Sequence, residues 1–180
     1  MTSVEPIKRK SDLKKIENYF KKQNERDLVL FTLGINSGLR ISDILRLDVK
    51  NVKDKEYIEL YEKKTKKYKK FPVNSKIKCL LKHYTKNKKE NEPLFKTYYG
   101  NRMDRVSAYK ILRSACKNCH INIKVGTHSM RKTFGYHFYK KFKDIVLLQK
   151  IFNHSAPNVT LRYIGFDQEQ IDEKYLQFIL

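Results

Sequence analysis

The chain has 180 residues, long enough for one domain with a real core and cramped for two. Hydrophobic residues make up 40%, which excludes a disordered tail, while 40 Lys and Arg against 19 Asp and Glu leave a formal charge of +21. Charge of that size seeks a polyanion: nucleic acid first, with an anionic membrane surface a distant second. The longest apolar runs, Leu28 to Phe31 and Ile145 to Leu148, are far too short to span a bilayer. Met1-Thr2-Ser3-Val4-Glu5-Pro6 offers no apolar signal core, and three cysteines, an odd count, suit a reducing compartment better than a disulfide framework. The expected location is the cytoplasm.

Taken in chain order, residues 1–10 read as an extended basic arm. Ser11 can cap a helix to about Gln23, with Leu13, Ile16, Tyr19 and Phe20 on its apolar face. A second helix, from about Glu25 to Asn36, is apolar most of the way round and should be central to the core. It stops at Gly38, and Ile41, Ile44, Leu45 and Leu47 anchor a short helix after it. Arg40 sits at the start of that helix, where its charge opposes the macrodipole; an anionic ligand would account for a cation placed there. Residues 49–73 change to short β-forming segments, through Val49, Val52, Tyr57, Ile58, Leu60, Phe71 and Val73, and predict a three-stranded antiparallel sheet. The last connection, Lys63 to Lys70, carries six lysines in eight residues. Most of them suit a solvated hairpin that keeps an edge strand soluble, yet a hairpin tip can also push one lysine into a DNA groove.

Further helices are predicted from Ser75 to about Asn87, from a cap at Asp104 to about Asn118, and over about His128 to Phe142 behind a capping Thr127. Another apolar face follows at Ile145 to Phe152, a short segment runs from Pro157 to about Ile164, and a final amphipathic helix covers 168–180. In the His128 helix, His128 and Arg131 lie three apart and so share one face. A fixed fork of donors beside a titratable ring suits a phosphate. Cys116-Lys117-Asn118-Cys119-His120 matches the haem-attachment spacing, but no export route is visible. Zinc would need a fourth ligand and usually a second paired cluster, so thiols buried or half-buried in the core are the better account.

The ordered set Gly38-Leu39-Arg40-x-x-Asp43, a hairpin lysine, His128-x-x-Arg131, His154, and Tyr163 nine residues later resembles the catalytic domain of the tyrosine recombinase, or phage integrase, family. The resemblance runs from about Asp12 to Tyr163. It implies an α+β fold, mainly α-helical, in a single domain over 1–180; the family's usual separate N-terminal core-binding domain is not expected here, since residues 1–24 are too few for one. It implies a site-specific recombinase that cleaves and rejoins DNA through a 3′-phosphotyrosyl intermediate on Tyr163. Arg40, His128, Arg131 and His154 surround that nucleophile in the resemblance, and Asp43 supports them. Aligning Phe71-Pro72-Val73 with the strand that follows the hairpin puts Lys64 in the slot of the general acid, with Lys63 and Lys66 left open. Lys63, Lys66, Lys67, Lys69 and Lys132 are the expected DNA contacts. Double-stranded DNA, a tetramer on DNA from a monomer free in solution, accessory DNA-binding proteins, and neither cofactor nor metal complete what the resemblance implies. The 168–180 helix would either fold back on its own domain or, as in the recombinases it resembles, dock on a neighbouring protomer. Asn153 departs from the family, where glycine commonly precedes the second histidine; asparagine tolerates left-handed backbone, so the turn can survive.

The same constellation would serve a type IB topoisomerase, which supercoil relaxation by a monomer would reveal. A DNA-binding module with a dead site is the different-class reading, and the presence of every expected polar residue argues against it.

Overall fold

In this computed structural model, residues 4–166 and 175–179 are described, and all statements below concern them. The helices fall where the 3.6-residue periodicity predicts, within a residue or two at most ends. They are α1 (Lys10–Gln23), α2 (Glu25–Ser37), α3 (Ile41–Ile44), α4 (Ser75–Thr85), α5 (Arg105–Asn118), α6 (Ser129–Phe142), α7 (Ile145–Phe152) and α8 (Pro157–Ile164), with strands β1 (Tyr57–Tyr61) and β2 (Tyr68–Pro72) between α3 and α4. Side-chain caps start four of them: Asn24, Asn74, Asp104 and Asp144 each accept from a backbone N–H two or three residues on. Two expected caps do not form. α1 begins at Lys10, one residue before Ser11, and the N-cap of α6 is His128 rather than Thr127. There the Ser129 hydroxyl accepts from Gly126 N–H at 3.0 Å and secures the turn instead.

The sheet is smaller than expected. β1 and β2 pair antiparallel, Ile58 against Phe71 and Leu60 against Lys69, as a two-stranded sheet. The third segment, around Val49 and Val52, forms a 3₁₀ turn over Val49–Asn51, closed by reciprocal side-chain bonds of Asp48 and Asn51. Its two valines are three apart and both buried, a helical spacing that the β propensity of valine masked.

α2 is the hub. Leu28, Val29, Leu30, Phe31 and Leu33 are all buried, and the helix packs against α1, α4 and α6. α6 separates two apolar clusters. Met130, at its start, belongs to the large core around α2, while Tyr136 and Tyr139 join Leu148, Phe152, Ile164 and Phe166 in the second. Each such side chain contributes about 1.5–3 kcal/mol of transfer free energy before ordering costs. Gly135 lets the second cluster close. A Cβ there would lie 2.6 Å from Ile164 and 2.7 Å from Phe152, so any larger residue would push α8 away from α6. No described helix is long and apolar enough to cross a membrane. The helix expected over 168–180 lies mostly outside the described residues; of its apolar stripe, Tyr175, Leu176, Phe178 and Ile179 are exposed.

Candidate active site

The N-terminal end of α6 meets four other pieces of chain: the end of α2, the start of α3, the β1–β2 hairpin, and the α7–α8 turn. α2 ends because Gly38 takes a left-handed conformation, φ 63°, with the Phe134 ring packed against its Cα. The Gly38 carbonyl then faces Arg131, whose guanidinium donates to it and, at 2.8 Å, to the Phe152 carbonyl. Arg131 is 2% exposed and stacks over the Phe152 ring at 4.3 Å. Two helix-end carbonyls thus fix the arginine from below. α7 ends in the same way at Asn153, φ 52°, so the left-handed turn expected there is present with asparagine in place of glycine.

α8 carries Tyr163 against this base. Its phenol oxygen lies 3.1 Å from His128 Nδ1, and its ring stands edge-on to His154 at 5.0 Å and to Phe152 at 5.6 Å. Burial raises the Tyr163 pKa, while Arg131 and Arg40 pull it back down. The phenol therefore keeps its proton at neutral pH, and a nucleophilic role for it would need a base. His128 fits that need. Its pKa is lowered, by desolvation first and then by Arg131, Lys132, Arg40 and Lys64, so the ring is neutral at physiological pH and a ring nitrogen can accept. His154 is lowered further, to about 4, by burial and then by Arg131 and Arg40. Its Nδ1 lies 3.1 Å from Thr160 Oγ1, closer than that hydroxyl is to the Ala156 carbonyl at 3.4 Å. With Thr160 donating to Nδ1, the ring proton of neutral His154 sits on Nε2, as an inferred tautomer.

The hairpin closes the other side. Asp43, 2% exposed, accepts from the Lys63 backbone N–H at 2.8 Å and so anchors the hairpin at its turn. Arg40 pairs with Glu62 at 2.8 Å, and Glu62 is fully buried. Glu62 also accepts from Thr65 Oγ1 at 2.6 Å and from Asn153 Nδ2 at 3.2 Å, and lies 4.0 Å from Lys69 Nζ. Although burial opposes ionisation of Glu62, the hydrogen bond from Thr65 and the positive charges of Arg40 and Lys69 hold its pKa below the ordinary value.

Of the expected residues, Arg40, Asp43, His128, Arg131, His154 and Tyr163 converge here. Lys64, like Lys63, Lys66 and Lys67, is exposed on the hairpin loop and bears on the site through its charge at His128. Two of the expected DNA contacts point elsewhere. Lys69 is buried, donates to the Ile151 carbonyl at 2.9 Å, and has its pKa lowered to about 8 by desolvation and by Arg131. It faces inward because it shares strand parity with Phe71 and Val73, and a one-residue step along a strand changes face. Lys132 is also buried, with Nζ 2.8 Å from the Val4 carbonyl and 5.2 Å from the Tyr163 ring centroid. It lies one residue past Arg131 on α6, under the arm rather than toward solvent.

Glu62 and Thr160 were not foreseen. Parity with Ile58 and Leu60 was the available signal for Glu62, since even positions of β1 face inward. Thr160, fully buried one helical turn into α8, carried none. Cys116 is buried and its thiol is pushed up to about 11 by desolvation, Cys119 is half-buried, and Cys79 is exposed. Among the described residues no three His, Cys, Asp or Glu side chains gather as a metal would require.

Comparison with known proteins adds to this geometry. The profile of the phage integrase family matches residues 8–170. The probable integrase/recombinase YoeC of Bacillus subtilis is 45% identical over 179 residues, covering 99% of this chain and 98% of that protein. Tyrosine recombinase XerC of Thermodesulfovibrio yellowstonii is 27% identical over 84% of this chain, which spans about half (54%) of that protein's length. The crystal structure of the XerH site-specific recombinase bound to palindromic difH substrate, a post-cleavage complex, superposes with a TM-score of 0.77 at 20% identity, covering 97% of this chain and 53% of that one. That last likeness speaks for the fold. The family profile and the YoeC match speak for more: the chain belongs to the phage integrase family, the tyrosine recombinases.

Proposed function

We propose that this chain is a site-specific DNA recombinase or integrase that cleaves and rejoins strands through a 3′-phosphotyrosyl bond on Tyr163. The observation that carries this reading is a neutral His128 within 3.1 Å of the Tyr163 hydroxyl, beside a buried Arg131. The Tyr163 oxygen attacks the scissile phosphorus and its proton passes to His128. The bond to the 5′ oxygen breaks, and that oxygen takes a proton from a hairpin lysine, with Lys64 in the role. Arg40 and Arg131 neutralise the charge gathering on the non-bridging oxygens, and His154 Nε2 donates a further hydrogen bond. Bond energy is kept in the phosphotyrosine, so a 5′ hydroxyl from another strand can reverse the steps. The +21 charge binds the DNA backbone by releasing counterions.

Double-stranded DNA is the partner, and a tetramer on DNA is the working form. The exposed apolar residues Tyr175, Leu176, Phe178 and Ile179 dock on a neighbouring protomer there. Incubation with a nicked suicide duplex carrying the cognate site should yield an SDS-resistant protein–DNA adduct. Deleting 168–180 should leave adduct formation in place and abolish strand exchange. No adduct from the intact chain overturns the catalytic reading, and a truncated chain that unfolds or still recombines overturns the docking.

A further inference from the structure

We propose that Glu62 is a positioning residue for this reaction, holding Arg40 in place for the phosphate and tying the hairpin to the turn that presents His154. The inference rests on the recombinase reading above. A carboxylate with no solvent exposure needs a reason, because an apolar side chain would fill the same space without desolvating a charge. Glu62 touches every element on its side of the cleft: Arg40 at the start of α3, Thr65 in the hairpin loop, Lys69 on β2, and Asn153 in the α7–α8 turn. Asn153 is the residue before His154, and its left-handed backbone is one that asparagine adopts more readily than most larger side chains. Its amide on Glu62 therefore fixes the turn from the hairpin side, while Thr160 fixes the His154 ring from α8.

A second observation sets Glu62 apart from ordinary internal glue. Five buried side-chain polar atoms among the described residues lack a hydrogen-bond partner, and three of them are here: Arg40 Nη1, Asp43 Oδ2 and Glu62 Oε1. Native proteins rarely leave such atoms unpaired; the Arg40 donor is one that a phosphate can fill, while the two carboxylate oxygens are acceptors that hold negative charge behind it. Arg40 Nη1 is close to Glu62 but poorly aligned for a hydrogen bond, so the attraction is one of charge on charge. Such a contact orients the guanidinium without saturating it, and leaves its donors to a phosphate.

The test compares Glu62→Gln with the parent on suicide duplexes whose scissile phosphate is either normal or a neutral methylphosphonate. Glutamine keeps the size of the side chain and an oxygen for Thr65 and Asn153, but removes the charge that orients Arg40. Cleavage of normal DNA should slow by about tenfold or more, with DNA affinity and melting temperature close to the parent's. On methylphosphonate DNA, which asks less of Arg40, the deficit should shrink to about threefold or less. An equal deficit on both substrates, or none on either, overturns the proposal. Should Glu62→Gln fail to fold, Glu62→Asp takes its place, since it keeps the charge but withdraws it from Arg40; the same recovery on methylphosphonate supports the proposal and its absence contradicts it. A parent that forms no adduct overturns the recombinase reading itself, whereas a parent that cleaves beside an unaffected variant overturns this inference alone.

Discussion

On the helical side of the cleft, the polar groups of Tyr163, His128, Arg131 and His154 have partners, and the Tyr163 ring packs edge to face with Phe152 and His154. On the hairpin side, Arg40, Asp43 and Glu62 carry buried atoms that do not, and the lysines of the loop stand in solvent. The helical side is built like a core and holds the Tyr163 hydroxyl against His128. The hairpin side is held by charge and leaves capacity for another charge. On the proposed mechanism, a two-sided arrangement of this kind pre-organises attack by Tyr163 and leaves leaving-group protonation to the hairpin lysines.

The comparison can be broken most severely from below. Arg131→Ala should lower cleavage by about 100-fold or more, through loss of charge at the phosphate. It should also lower stability by about 3 kcal/mol, because the Gly38 and Phe152 carbonyls lose their buried donor. Urea denaturation and single-turnover cleavage check the two parts; a stable, inactive Arg131→Ala protein would mean that the helical side does not depend on this arginine for its packing.

Lys64→Ala sharpens the hairpin side. It should cleave ordinary DNA about 100-fold more slowly and recover on DNA whose 5′ bridging oxygen is sulfur, since a thiolate leaves without a proton. Rescue of Lys63→Ala or Lys66→Ala, but not Lys64→Ala, would move the role along the loop. Rescue of Lys69→Ala would move it inward, to the lysine whose pKa of about 8 lies nearest neutrality.

The smallest effect concerns pH. Unfolded, His154 takes up a proton near pH 6.5; folded, it does so only near 4, because burial and then Arg131 and Arg40 disfavour the imidazolium. Between those values the unfolded chain binds the extra proton, so the stabilisation is complete above about 6.5 and drains away as pH falls toward 4. His128 and His137 are shifted the same way. A plot of melting temperature against pH should therefore fall over this window in the parent and fall less steeply in His154→Gln. Parallel curves would show that His154 does not carry this dependence.

The helices were legible through their apolar stripes, several of them with a boundary signal: Gly38 at the end of α2, Asp104 at the start of α5, Pro157 at the start of α8. The motif residues were legible through their spacing and the family they resemble. What the sequence hid was decided by parity and by tertiary packing. Lys69 reads as one more charge in a solvated run until β2 turns it inward, and Lys132 reads as exposed until the arm covers it. Val49 and Val52 look like strand because valine favours strands, but Asp48 and Asn51 close a 3₁₀ turn around them.

The most direct measurement is identification of the residue that carries the DNA. After suicide cleavage, nuclease trimming and proteolysis, mass spectrometry should find the phosphonucleotide on the peptide containing Tyr163, and Tyr163→Phe should bind DNA normally yet form no adduct. A linkage on Tyr175 or any other tyrosine, or an adduct persisting in Tyr163→Phe, would contradict the account.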